Sequence, residues 1–227
     1  MICKKLKLEK ESLVICDSNI CVYRTLETIK PKIYNEDLEK TKKLIEEITN
    51  NNFKCKIIVT DIAYSEIKDN EILFGCVNEF CVKKLHYRYG DFRTIKIFNQ
   101  AKKSINKFID RRLLDEESKN KIKNYKTYLE SINQFYLKFP KRLQEITDNK
   151  IKFVKPFDKQ RKLQQRPNNL PEENDRLILC QAIELKKQQN NPVCIFSNDS
   201  DFLEFKEEIK QEFEINILSL DDNIINE

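Results

Sequence analysis

The chain has 227 residues, of which 40% are hydrophobic and 35% charged, with a formal net charge of +5. This is enough apolar material for one large domain with its own core. Two glycines and one histidine exclude glycine-rich phosphate loops and zinc sites built on several imidazoles.

In chain order, the start MICKKLKLEKES is charged and has no apolar leader-like stretch. No segment approaches the ~20 apolar residues of a membrane span. A cytoplasmic protein is therefore expected. Leu13–Cys16 reads as a buried strand that ends at Asp17. Glu36–Asn50 spaces Leu38, Leu44, Ile45 and Ile48 as one face of a helix. Ile57–Thr60 is a second strand, and Ile62–Lys68 opens a helix with Asp61 as its expected N-cap. From about Thr94 to Thr147 strand-like runs are missing and helical spacing prevails, as in Ile97, Ala101, Ile105, Phe108 and Ile109. A helical hairpin inserted between the second and third main strands is expected there. Ile151–Val154 could add a short edge strand, and the polar, basic Gln160–Asn169 reads as a loop. Asp175–Gln189 is a helix between Pro171 and Pro192. Val193–Ser197 is the third strand, Phe202–Phe213 a helix and Ile215–Leu218 a weaker fourth strand. None of the eight cysteines forms a CxxC pair, and Cys16, Cys180 and Cys194 lie in apolar runs as small buried hydrophobes.

Alternation of strands and helices implies parallel pairing in a three-layer α/β domain. One domain, 1–227, is expected to carry a basic helical insertion at about 84–150 and a basic loop at about 158–170. Residues 83–170 hold 24 Lys/Arg against 9 Asp/Glu, whereas the flanks are acidic. Such a block fits a phosphate-backbone partner as well as it fits a solvated helical face.

The acids fall where chemistry is expected. Asp17 follows the first strand and Asp199 the third, at carboxyl ends where open α/β sheets place their sites. Glu66 lies about one turn into the helix after the second strand, and Asp175 opens a helix leading back to the sheet. All four can reach one edge of the sheet. Clustered carboxylates repel one another unless a cation is shared. Hard oxygen ligands suit Mg²⁺ or Mn²⁺, which also bind phosphate oxygens and activate water for in-line displacement. Asp17, Asp175 and Asp199 are expected to hold one or two ions, with Glu66 holding a second ion or positioning the water. Asp201 could bind metal or cap the following helix; the sequence leaves both open.

The segments LVICDSNI, IIVTDIAYSEI, ENDRLILCQAIEL and VCIFSNDSDF together resemble the PIN-domain ribonuclease family. The resemblance covers roughly 10–82 and 171–220, and residues 83–170 have no counterpart in a minimal PIN domain. It implies a PIN-like, mostly parallel four- or five-stranded sheet flanked by helices. It also implies metal-dependent endonucleolytic cleavage, usually of RNA, with Asp17, Glu66, Asp175 and Asp199 as the acids. Ser18, Asn19, Ser197 and Asn198 then become supporting polar neighbours and Asp201 an accessory ligand. An inhibitor or antitoxin-like protein and a second copy of the chain are the further partners considered.

Lys102, Lys103, Lys107, Arg111 and Arg112 on the insertion, and Arg161, Lys162 and Arg166 in the loop, are the candidate nucleic-acid contacts. Tyr87 and Tyr89 could stack on bases or pack in the core, and His86 is expected to be a surface or structural residue. The competing readings are an NYN- or flap-endonuclease-like nuclease acting on structured nucleic acid and a catalytically silent PIN-like scaffold. A HAD-type phosphohydrolase needs Asp where DSNIC has Asn19.

Overall fold

The computed structural model describes residues 5–7, 12–29, 35–49, 55–88, 90–114, 119, 122–152, 156–189 and 191–225. Four short strands form its central sheet: β2 (Leu13–Cys16), β3 (Lys56–Ile58), β4 (Val193–Phe196) and β5 (Asn216–Leu218). Their order is β3-β2-β4-β5 and every pairing is parallel. Parallel strands need both faces covered, and Val14, Ile15, Cys16, Ile195 and Phe196 are fully buried. A separate parallel pair joins β1 (Lys5–Lys7) to β6 (Asn223–Ile225).

The helices before the insertion are α1 (Ser18–Ile29), α2 (Glu36–Thr49), α3 (Asp61–Lys68) and α4 (Asn70–Leu85). The residue that caps α3 is Thr60, whose hydroxyl accepts from the Ala63 N–H, and not the expected Asp61. Asp69 both ends α3 and caps α4. His86 closes α4 as an exposed residue in the left-handed conformation.

The insertion is helical. It comprises α5 (Phe92–Ile109), a 3₁₀ turn at Tyr125–Tyr128, α6 (Leu129–Leu137) and α7 (Pro140–Ile151). Ile151 thus ends a helix and starts no strand; the remainder of the expected edge piece, 153–155, lies outside the described residues. Beyond α5, the Val59 N–H donates to the Arg112 carbonyl at 2.7 Å, tying the insertion to the sheet edge. The expected loop at Gln160–Asn169 is instead the end of α8 (Pro156–Gln165) and a 3₁₀ turn, Pro167–Asn169.

The chain returns through α9 (Glu173–Gln189), which packs against β4, α3, the Tyr125–Tyr128 turn and α6. Every residue of α9 from Arg176 to Leu185 is buried, because the insertion covers the side the sheet leaves open. The helix expected over Phe202–Phe213 is split into α10 (Ser200–Leu203) and α11 (Lys206–Phe213). Phe135, Tyr136 and Phe139 of the insertion pack edge-on or tilted against Phe205, and Phe135 also meets Phe213. No helix among the described residues is long and apolar enough to cross a membrane.

Candidate metal centre

From β2 the chain moves to β3 on one side, and from β4 to β5 on the other. The crevice beyond the carboxyl ends of β2 and β4 is therefore the topological switch point of the sheet. Asp17 and Asp199 stand there, one residue after β2 and three after β4.

Asp17 is 2% exposed, and neutral donors hold both of its oxygens. Oδ1 accepts from the Ser18 N–H at 2.6 Å and more loosely from the Ser18 hydroxyl at 3.4 Å. Oδ2 accepts from Asn19 Nδ2 at 2.8 Å and from Ser197 Oγ at 2.6 Å. Asn19 Oδ1 in turn accepts from the Asn198 N–H, so the four supporting residues fix β2 and β4 relative to one another. Burial raises the Asp17 carboxyl to about 6; the Ser197 bond opposes the rise and the charge of Asp199 adds to it. Glu66, on α3, accepts from Asn174 Nδ2 at 2.9 Å. Burial and then the charge of Asp17 raise it to about 7, against the hydrogen bonds from Asn174 and Ser18.

Asp175 lies in the first turn of α9. It has neither a hydrogen-bond donor nor an ion-pair partner among the described residues. Burial, followed by the charges of Asp199 and Asp201, holds its carboxyl well above the ordinary range. Asp175, Asp199 and Asp201 each bring one carboxylate oxygen within 4.8 Å of the other two. Asp17 is an electrostatic neighbour of Asp199, Asp175 and Glu66, but neither Asp17 nor Glu66 belongs to that close group. Collecting that much buried negative charge is unfavourable unless cations join it.

Two cations come from the protein itself, and sequence reasoning missed both roles. Lys150, in the last turn of α7, donates to Asp199 Oδ1 at 2.6 Å and to Asp201 Oδ2 at 2.8 Å. Arg166 forms a two-pronged pair with Asp201 at 2.7 and 2.9 Å. Its Nε also donates to Thr147 Oγ1. Arg166 is only 2% exposed, so it is a buried structural partner and not the surface nucleic-acid contact expected of the basic loop. Asp201 is fully buried, and the Tyr136 hydroxyl donates to its carbonyl at 3.1 Å. Although burial opposes ionisation, Lys150 and Arg166 outweigh it and hold Asp201 well below the usual carboxylate range. The helix cap is Asp199, which accepts from the Asp201 N–H. Asp201 is therefore an ion-paired anchor and not a cap.

The remaining basic residues divide by exposure. Lys102, Lys103, Lys107 and Arg111 are exposed. Arg112 is half-buried, lies over the Phe108 ring and donates to the Phe108 carbonyl. The side chains of Arg161 and Lys162, and Tyr89, lie outside the described residues. Tyr87 is half-buried beneath the Arg93 guanidinium, 3.9 Å from ring centre to Cζ. Cys16, directly before Asp17, is buried and its thiol is pushed up to about 12, which keeps it protonated and inert.

No protein-family model, curated protein or solved structure matches this chain.

Proposed function

We propose that this protein is a metal-dependent endonuclease that hydrolyses phosphodiester bonds, with single-stranded RNA as its substrate. The observation that carries the proposal is the carboxylate of Asp175, which has no partner among the described residues and lies in one close group with Asp199 at the switch point of the sheet. The donor set is all oxygen, which fits Mg²⁺ or Mn²⁺ and fits zinc or copper poorly. A bound divalent ion supplies the Lewis acidity that activates water and stabilises a leaving oxygen. The chain's own residues do the positioning. Ser18, Asn19 and Ser197 orient both oxygens of Asp17, and Asn174 orients Glu66. The exposed Lys102, Lys103, Lys107 and Arg111 offer the phosphate backbone a positive surface. The choice of RNA rests on the resemblance of LVICDSNI and VCIFSNDSDF to PIN ribonucleases.

The test is incubation of the pure chain with end-labelled single-stranded RNA, single-stranded DNA and flapped duplex DNA in Mn²⁺, Mg²⁺ or EDTA. Internal cleavage of RNA is expected with either metal, with none in EDTA and none by Asp175→Asn. Cleavage confined to DNA flaps would favour the flap-endonuclease reading. No cleavage of any of these nucleic acids, together with no Mn²⁺ binding, would remove the enzyme assignment.

A further inference from the structure

The insertion sends one side chain into the acidic cluster. Lys150 Nζ sits 2.6 Å from Asp199 and 2.8 Å from Asp201. These are two of the three carboxylates whose oxygens lie within 4.8 Å of one another. The ammonium therefore stands where a cation shared by that pair would stand. Arg166 closes the other side. Its Nη2 takes Asp201 Oδ1 and its Nη1 shares Oδ2 with Lys150, so both oxygens of Asp201 are committed. Each oxygen of Asp201 thus already answers a buried protein cation. Among the described residues, Asp17, Glu66 and Asp175 meet no protein cation at hydrogen-bond distance, and Asp199 meets only Lys150. Asp175 and Asp199 belong to the one carboxylate group close enough to share an ion among the described residues, and Asp17 adds its charge beside them, so one divalent ion has oxygens left to it there.

We propose that Lys150 is a resident cation that stands in for a second metal ion, so that the centre works with one divalent ion and one ammonium. The proposal rests on the nuclease reading and adds a positioning group to it. Two-metal nucleases use their second ion to neutralise charge around the phosphate. A lysine ammonium has three N–H donors, and among the described residues two are committed, to Asp199 and Asp201. The third is left for a non-bridging phosphate oxygen. Lys150 is anchored at both Asp199 and Asp201, so its position is built into the fold. The cation thus needs no loading and is present whenever the chain is folded.

The test is Mn²⁺ stoichiometry on the full chain, measured by calorimetry and by electron paramagnetic resonance of free Mn²⁺. The wild type is expected to bind one ion, Lys150→Met two, and Lys150→Arg one. Cleavage of RNA should fall at least a hundredfold in Lys150→Met, with part recovered in Lys150→Arg. Two ions on the wild type overturn the proposal while the nuclease reading stands. So does a Lys150→Met variant that binds one ion with unchanged Kd, or one that cleaves normally. If Lys150→Met does not fold, the wild-type stoichiometry decides alone. A wild type that binds no Mn²⁺ sinks both readings.

Discussion

Asp17→Asn removes one negative charge from the crevice and keeps the shape of the side chain. In the wild type, burial and its neighbours raise the Asp17 carboxyl from 3.8 to about 6. At about 1.4 kcal/mol per pH unit, ionised Asp17 destabilises the metal-free fold by about 3 kcal/mol. The sign follows from linkage: a carboxyl raised on folding contributes stability below its unfolded value of 3.8, and that contribution is lost as pH climbs through about 6. The amide has no charge to desolvate. It does place an NH₂ where Oδ2 accepted from Asn19 and Ser197. Ser197 can rotate to accept, but the clash with Asn19 costs roughly 1–2 kcal/mol. In EDTA at pH 8, Asp17→Asn is therefore expected to be more stable than wild type by about 1–2 kcal/mol, or ~2–8 °C in Tm for a chain of this size. At pH 4, close to the unfolded value of 3.8, little of that penalty has developed, so the order should reverse. Mn²⁺ at a hundredfold excess over Kd should raise the wild type by about 2.7 kcal/mol and leave the variant nearly unmoved. Differential scanning calorimetry at both pH values, with and without Mn²⁺, checks all three outcomes. A variant that melts below wild type at pH 8 in EDTA would refute the reasoning, as would equal stabilisation of both by Mn²⁺.

Arg166→Met leaves fully buried Asp201 with Lys150 as its only cation among the described residues, so urea denaturation should show a loss of about 3–5 kcal/mol. Arg166→Lys should recover only part, since an ammonium cannot make the two-pronged contact. Phe205→Ala empties a site that three rings of the insertion line, with centroids at 5.0–6.4 Å. The expected loss is about 3–5 kcal/mol in the same assay. Reversing Lys102, Lys103 and Lys107 to Glu changes exposed residues, so Tm should hold within a few degrees. Fluorescence anisotropy with single-stranded RNA should then show a shallower salt dependence, by roughly 0.7 in log–log slope for each phosphate no longer neutralised. An unchanged slope would remove this helix from the binding surface.

The sheet was legible because fully buried strands are written as unbroken apolar runs. LVIC, KIIV and VCIF could hardly be anything else between polar flanks, and the acids after them mark the strand ends. Glu66 and Asp175 followed from helix phase. Less was legible where the signal is not local. The α1 segment follows Asp17 directly and carries β-branched Ile20, Val22 and Thr25, which are weak helix formers held in place by tertiary packing. Over α4, apolar residues fall on several sides, so no stripe announces a helix. At the start of α3, Thr60 and Asp61 are both good caps, and only geometry chooses between them. Nothing in DNKIKF singles out Lys150, and nothing in LQQRPNN marks Arg166 as buried. Their roles depend on where α7 and the Pro167–Asn169 turn are carried by packing across α9 and α10. A basic block in the sequence suggested only a partner outside the molecule. Two of its members turn inward.

The enclosure of α9 bears on how the molecule comes apart. A helix with apolar neighbours all around offers no seam along which sheet and insertion could part while each stayed folded. Prying them apart would strand Leu177, Leu179 and Leu185 in water and take Lys150 away from Asp201 at the same moment. Loss of tertiary aromatic signal and loss of helical signal should therefore coincide in one cooperative melt. Cutting out the insertion would not yield a smaller stable domain, because it would also take away Lys150, part of the counter-charge that lets the acids sit together.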